Sequence, residues 1–190
     1  MRPLCITLAL RKYYAVLFGI TLLAVSSLVR AQIPNSDIKA AFLYHFTQFV
    51  EWPALDAGGM FTICVTGDQA TTIALRAWTR DKFVGSHPIQ TLVIDGPSEA
   101  RGCHILFIAA CPNPRLQQYL RSVRDSGILI VGEQPGLLET GGMVELFLQP
   151  QRVAFRINTE AMQRAHLRVS SRLLQLARGA RESLSVGGAQ

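Results

Sequence analysis

Signatures of catalysis are what this sequence has least of. It carries no G-x-S-x-G elbow, no H-E-x-x-H helix, no Walker lysine loop and no G-x-G-x-x-G after a strand, which removes the enzyme classes that those motifs build. Because catalytic groups meet in space rather than in sequence, an enzyme without a motif is still admissible. Cysteine is sparse, four in 190 residues, and none of the usual short Cys pairs of a zinc site occurs. Past the N-terminal segment no run is long and apolar enough to span a bilayer. There is no internal repeat, low-complexity tract or linker, so nothing divides the chain into separate domains.

What is present begins with an export signal. Arg2, Arg11 and Lys12 form a basic head, and the apolar run Tyr13 to Val25 follows. Small residues at Val29 and Ala31 stand where a signal peptidase inspects the chain, so cleavage is expected after Ala31 and the mature chain begins at Gln32. The rival reading is a retained membrane anchor, but Gly19, Thr21 and the serines shorten the apolar part. The segment through Ala31 takes with it four of the 19 basic residues and no acid, which leaves 15 bases against 13 acids. The basic character therefore belongs mostly to the signal, and an exported protein has no access to cytoplasmic nucleic acid. Residues 32–182 are enough for one domain with a sizeable core, with 183–190 as a frayed tail.

The mature chain alternates strand and helix. Pro34, Asn35 and Ser36 open a helix with Ile38, Ala41, Phe42, Phe46, Phe49 and Val50 at helical spacing, ended near Phe49 or Val50 ahead of Pro53. Strands are expected at Met60–Val65, Pro88–Ile94, Cys103–Ala109 and Ile128–Val131, with helices around Thr71–Trp78 and from Cys111 or Asn113 through Val123. Nearly unbroken apolar runs suit strands covered on both faces. Met143–Leu148 and Val153–Ile157 form an antiparallel hairpin, and helices at Glu160–His166 and Ser170–Ala177 close the domain. The expected fold is a single α/β domain whose mainly parallel sheet has helices on both faces, a Rossmann-like three-layer sandwich with a C-terminal antiparallel hairpin.

Three candidate sites follow. Gly67 and Asp68 lie at the carboxyl end of a strand, where open α/β sheets bind ligands, and Ala110 and Gly132 at the ends of later strands can join them in a crevice; the plainer account is a turn in which Asp68 caps a helix. Tyr44, Phe46, Phe49 and Trp52 form either an aromatic partner surface or ordinary core, and Arg164, Arg168, Arg172 and Arg178 either an acidic partner's counterpart or a solvated helix face. The third is thiol chemistry. Cys103 and His104 are consecutive on an expected strand and point apart, which argues against a metal. Cys64, Cys103 and Cys111 enter an oxidising compartment, where at most one internal bridge forms. Cys103 with Cys111 is too far along one strand; Cys64 pairs with one or the other, and the strand-end positions slightly favour Cys111.

Several stretches then resemble one family. They are I-K-A-A-F-L-Y-H-F-T-Q-F-V-E-W-P at Ile38 to Pro53, C-V-T-G-D at Cys64 to Asp68, G-C-H-I-L-F-I at Gly102 to Ile108 and G-G-M-V-E-L-F at Gly141 to Phe147. R-V-A-F-R-I-N at Arg152 to Asn158 and L-R-V-S-S-R-L-L at Leu167 to Leu174 complete the set. Together they resemble the YfiR-like family of periplasmic regulators, in family order over nearly all of the mature chain. The resemblance implies a non-enzymatic, cofactor-free regulator that represses an inner-membrane diguanylate cyclase, is sequestered by an outer-membrane lipoprotein, and lowers cyclic di-GMP and biofilm formation. It also implies a homodimer and a redox-sensitive pair at Cys64 and Cys103, with no counterpart for Cys111 and no second bridge near the hairpin. The alternatives from other classes are a periplasmic small-molecule receptor using the crevice at Gly67 and a hydrolase with titratable groups converging there.

Overall fold

A computed structural model describes residues 33–52, 55, 58–149 and 152–177. The expected signal segment with its cleavage site, Pro53, Arg178 and the expected tail lie outside these residues. Helix α1, Asn35–Phe49, starts directly after Pro34, whose carbonyl accepts the amides of Asp37 at 3.0 Å and Ile38 at 3.3 Å. It ends as Val50 turns extended and enters β1, Val50–Glu51.

The sheet is then laid down in the expected alternation. Strand β2, Phe61–Thr66, is buried along its whole length. Helix α2, Gln69–Thr79, carries the chain over to β3, Phe83–Val84, and β4, His87–Val93. A 3-10 turn at Pro97–Gly102 leads into β5, Ile105–Ile108; helix α3, Asn113–Ser122, leads into β6, Leu129–Gly132. Strands β7, Val144–Gln149, and β8, Arg152–Ile157, form the hairpin. Helix α4, Thr159–Arg164, precedes β9, Arg168–Val169, and a last helical stretch, α5, covers 171–177.

The seven-stranded sheet has the order β3-β4-β2-β5-β6-β7-β8. From β4 to β7 every pairing is parallel, and the β3–β4 and β7–β8 pairs at the two margins are antiparallel. The crossover from β2 to β4 runs one way along the sheet and that from β5 to β6 runs the other. Both being right-handed, α2 and α3 fall on opposite faces. The three central strands are buried throughout, which is why they read as unbroken apolar runs.

Four details differ from the sequence expectation. Strand β3 was not foreseen: Gly85, with φ of +58°, turns the chain between Val84 and His87 so that Phe83 pairs with Pro88. Arg168 is not on a helix, because the helix expected to run to His166 stops at Arg164 and Arg168 enters β9 opposite Glu51 of β1. Cys103 and His104 precede β5 rather than belonging to it. The outward face expected on β8 is not a plain solvated one, since Arg156 donates to the buried Glu145 at 2.7 Å.

Candidate functional site

Strands β2 and β5 are neighbours from which the chain departs in opposite directions, so their carboxyl ends form the crevice in which an open α/β sheet accommodates ligands. Here the crevice is filled from above by a side chain of α1. The Lys39 ammonium lies 2.6 Å from the Asp68 carboxylate and 3.0 Å from that of Glu133, and 5.8 Å from the centre of the Phe107 ring. All three charged groups are largely withdrawn from water, with side-chain exposures of 11% for Lys39, 14% for Asp68 and 20% for Glu133.

Each partner is positioned by a different element. Lys39 faces inward from the first turns of α1, Asp68 follows β2, and Glu133 follows β6. Asp68 also caps α2, accepting the Thr71 amide at 2.8 Å and the Thr71 hydroxyl at 2.6 Å. Burial by itself would push the Lys39 pKa down, but the hydrogen bonds to Asp68 and Glu133 and their charges outweigh it and hold it above 10.5. For Asp68 burial pushes up, and the bonds from Lys39 and Thr71 hold the carboxyl below 3.8. A lysine kept protonated is not a nucleophile or a base, and a carboxylate kept ionised is not a general acid. The chemistry of this cluster is closure.

Of the four residues expected to line a crevice, Asp68 is therefore engaged in this closure and Gly67 and Ala110 are exposed at its margin. Gly132 is buried where a Cβ would come within 2.9 Å of both the Ile108 carbonyl and a Leu137 methyl, so the backbone packs too closely there for a side chain. Lys39 and Glu133 were not among the expected site residues. A lysine in the first turns of a helix reads as solvated, and the one legible hint was its place among the apolar positions of α1.

Among the described residues the cysteines form one bridge, Cys64 to Cys103, with Cα atoms 5.8 Å apart, while Cys111 is free and half-buried. This is the pair that the family resemblance implies and not the one slightly favoured by strand-end positions. Cys64 is in the interior of β2, paired in register with Leu106, so a residue just before β5 reaches it and one beyond the end of β5 does not. Burial pushes the Cys111 thiol pKa up, which leaves it a poor thiolate. His104 lies against the Phe61 ring at 4.7 Å and its Nδ1 accepts the Thr62 amide at 3.0 Å. Among the described residues no group of three metal-ligating side chains gathers.

The expected partner residues separate. Phe46 is core, fully buried and edge-on to Phe155 of β8. Trp52 packs edge-on against Phe61 and donates its indole N–H to the His104 carbonyl at 3.3 Å. With Arg168 it lines a groove of about 640 Å³ beside the β1–β9 pair. Arg164 lines a different groove. Tyr44 and Arg172 are joined through Phe49, which was among the expected aromatics, and through His45 and Trp78, which were not. The Arg172 guanidinium sits 5.9 Å from the Phe49 ring, Phe49 lies 6.4 Å from His45, and His45 lies 5.7 Å from Tyr44 and 6.5 Å from Trp78. This row crosses the outer side of α1 onto α2, where Trp78 is 41% exposed. Trp78 is on the same helical face as the buried Thr71, Ala74 and Leu75, so nothing in its spacing marks it as exposed.

In class this is a doubly wound α/β domain with its sheet crevice closed by charge and an aromatic row in solvent. The family comparison specifies it further. A family model described as YfiR/HmsC-like matches residues 36–178, and the chain belongs to that family. Its members are periplasmic regulators of cyclic di-GMP signalling rather than enzymes. Among the described residues no helix is long and apolar enough to cross a membrane. Among solved structures the chain is similar to a conserved domain protein from Vibrio cholerae O1 biovar eltor, at 9% identity with a TM-score of 0.49, covering 75% of this chain and 58% of that one.

Proposed function

We propose that the chain is exported, loses its N-terminal segment after Ala31, and as a homodimer of residues 32–182 holds the periplasmic part of an inner-membrane diguanylate cyclase in its inactive state. Repression lowers cyclic di-GMP and biofilm formation, and an outer-membrane lipoprotein relieves it by sequestering the regulator. Family membership supports the class of function, and the Cys64–Cys103 bridge fits an oxidising compartment. The observation that carries the partner surface is the row from Arg172 through Phe49 and His45 to Trp78 and Tyr44. Exposed aromatics flanked by a guanidinium are the side chains from which protein-protein hot spots are made.

Binding represses only through its preference for one conformation of the partner, so the surface must grip the inactive cyclase more tightly than the active one. A small-molecule receptor using the crevice at Gly67 is less well supported, because a ligand there must displace Lys39 from two carboxylates. The test is cross-linking of the purified protein to inner membranes from its own cell, combined with cellular cyclic di-GMP. The native chain is expected to cross-link to a diguanylate cyclase and to lower cyclic di-GMP on overexpression, and a His45→Ala/Trp78→Ala variant to do neither. Equal repression by that variant sinks the surface; no change in cyclic di-GMP with the native chain sinks the regulator.

A further inference from the structure

A second groove, sharing no residue with the closed crevice or the aromatic row, lies between α3 and α4. It encloses about 290 Å³. Between its polar walls runs a narrow apolar strip where Leu120, Ile130, Met143 and Ala161, all more than nine-tenths buried, reach its base. Its rim is cationic, with exposed Arg121, Arg124 and Arg164 all bordering the same opening.

Arginine near a helix C-terminus has an ordinary explanation in the helix dipole, and Arg121 and Arg164 both occupy last turns. The dipole does not account for two helix ends converging on one hollow. Arg164 is partly engaged, donating to Glu160 at 2.8 Å, and Asp125 also borders the groove. Arg121 and Arg124 form no ion pair among the described residues. Their guanidinium groups therefore present planar forks of donors, the geometry that recognises carboxylate and phosphate. The volume lies just under the range of drug-sized ligand sites, about 300 to 1,000 Å³, and so suits only a small ligand.

We propose that this groove binds a small anionic amphiphile: a carboxylate or phosphate head held by Arg121 and Arg124, with an apolar body the size of a phenyl ring or short alkyl chain seated on Leu120, Ile130 and Met143. The same chemistry is offered by a free acid and by the end of an anionic lipid. The inference is independent of the regulatory reading, since it concerns a different face and its test measures binding alone.

The experiment titrates the purified protein with octanoate and with phenyl phosphate by calorimetry and by amide NMR. Benzyl alcohol and 1-octanol serve as uncharged comparators, and phosphatidylglycerol and phosphatidylcholine vesicles as the lipid arm. Saturable binding of an acid is expected, with shifts centred on Leu120, Met143 and Ala161. It should be at least tenfold tighter than that of the uncharged comparator and weaken as salt is raised. An Arg121→Gln/Arg124→Gln variant, whose melting should match the native protein because both side chains are exposed, is expected to lose at least tenfold in affinity. Binding to phosphatidylglycerol vesicles alone, lost in the same variant, makes the lipid the source; binding of the soluble acids makes it a free ligand. Absence of both, equal affinity of acid and alcohol, or undiminished binding by the double variant overturns the proposal.

Discussion

Two regions of this domain treat water in opposite ways. At the carboxyl ends of β2, β5 and β6, three charged groups are taken out of solvent and fastened to one another around Lys39. On the outer side of α1 and α2, Trp78 is left 41% exposed beside Tyr44 and His45 although an apolar surface is cheapest when covered. The place where such a sheet commonly holds a small ligand has been closed, and the surface suited to another protein has been left open. The contrast favours recognition of a macromolecule over recognition of a metabolite in the sheet crevice.

The comparison breaks most visibly if the closed end is opened. Lys39→Met leaves two half-buried carboxylates without their cation, and removing one partner from a fully buried pair costs about 3–5 kcal/mol, which sets the upper bound here. Denaturant unfolding at neutral pH is expected to register a loss of about 2–4 kcal/mol. Adding Glu133→Gln and Asp68→Asn should return much of it, because the charges then disappear together. A loss below about 1 kcal/mol for Lys39→Met would mean that the crevice is wet, since exposed pairs contribute no more than that. Cys64→Ser comes next. The bridge closes a sequence separation of 39 residues between β2 and the approach to β5, and removing such a bridge costs about 2–4 kcal/mol. Unchanged melting would show that it does not constrain the unfolded chain.

Acid sharpens the same contrast with a smaller effect. The Asp68 pKa is held below 3.8 in the folded state, so its contribution is complete above the unfolded value and lost as pH falls through the folded one. Lys39 is held above 10.5; its contribution is complete below that value and lost only as alkali takes the pH through the folded pKa. Stability from the cluster should therefore be flat across the neutral range and fall at the acid end. In the Lys39→Met/Glu133→Gln/Asp68→Asn variant the acid fall should shrink. Equal acid sensitivity in the two proteins would place the sensitive carboxylates elsewhere.

How much of this could be read from the sequence follows the range of the forces involved. Strands β2, β5 and β6 are buried on both faces and announced themselves as apolar runs; α1 did so through its periodicity. The two-residue strands β1, β3 and β9 have too little pattern to be seen alone. β1 and β9 exist because Val50 and Glu51 find Val169 and Arg168 more than a hundred residues later along the chain. The closing cluster was invisible for the same reason: Lys39 meets Asp68 across a separation of 29 residues and Glu133 across 94. Asp68 was legible as a cap, which is a local property, and its role against Lys39 was not. The bridge became legible only through a family resemblance, since strand-end reasoning left two pairings open.

The smallest expected effect on stability is the one that separates the two regions most cleanly. Trp78→Ala removes a side chain whose contacts are with Tyr44 and His45 at centroid distances of 6.4 and 6.5 Å and whose surface is already partly in water. Losing a half-covered aromatic with two ring neighbours is expected to cost about 1 kcal/mol of folding free energy, less than either change above. A large aromatic at the centre of an interface, in contrast, costs about 2 kcal/mol or more of binding when truncated, because its loss leaves the partner's pocket unfilled. Trp78→Ala should thus melt only slightly below the native protein yet lose at least about thirtyfold in affinity for the proposed partner, the periplasmic part of a diguanylate cyclase, while Lys39→Met should melt well below it and bind normally at temperatures where it is folded. Chemical denaturation and surface plasmon resonance on the same two variants measure both quantities. If instead Trp78→Ala unfolds early and Lys39→Met loses binding, the assignments are reversed: the aromatic row is core and the charged crevice is the recognition site.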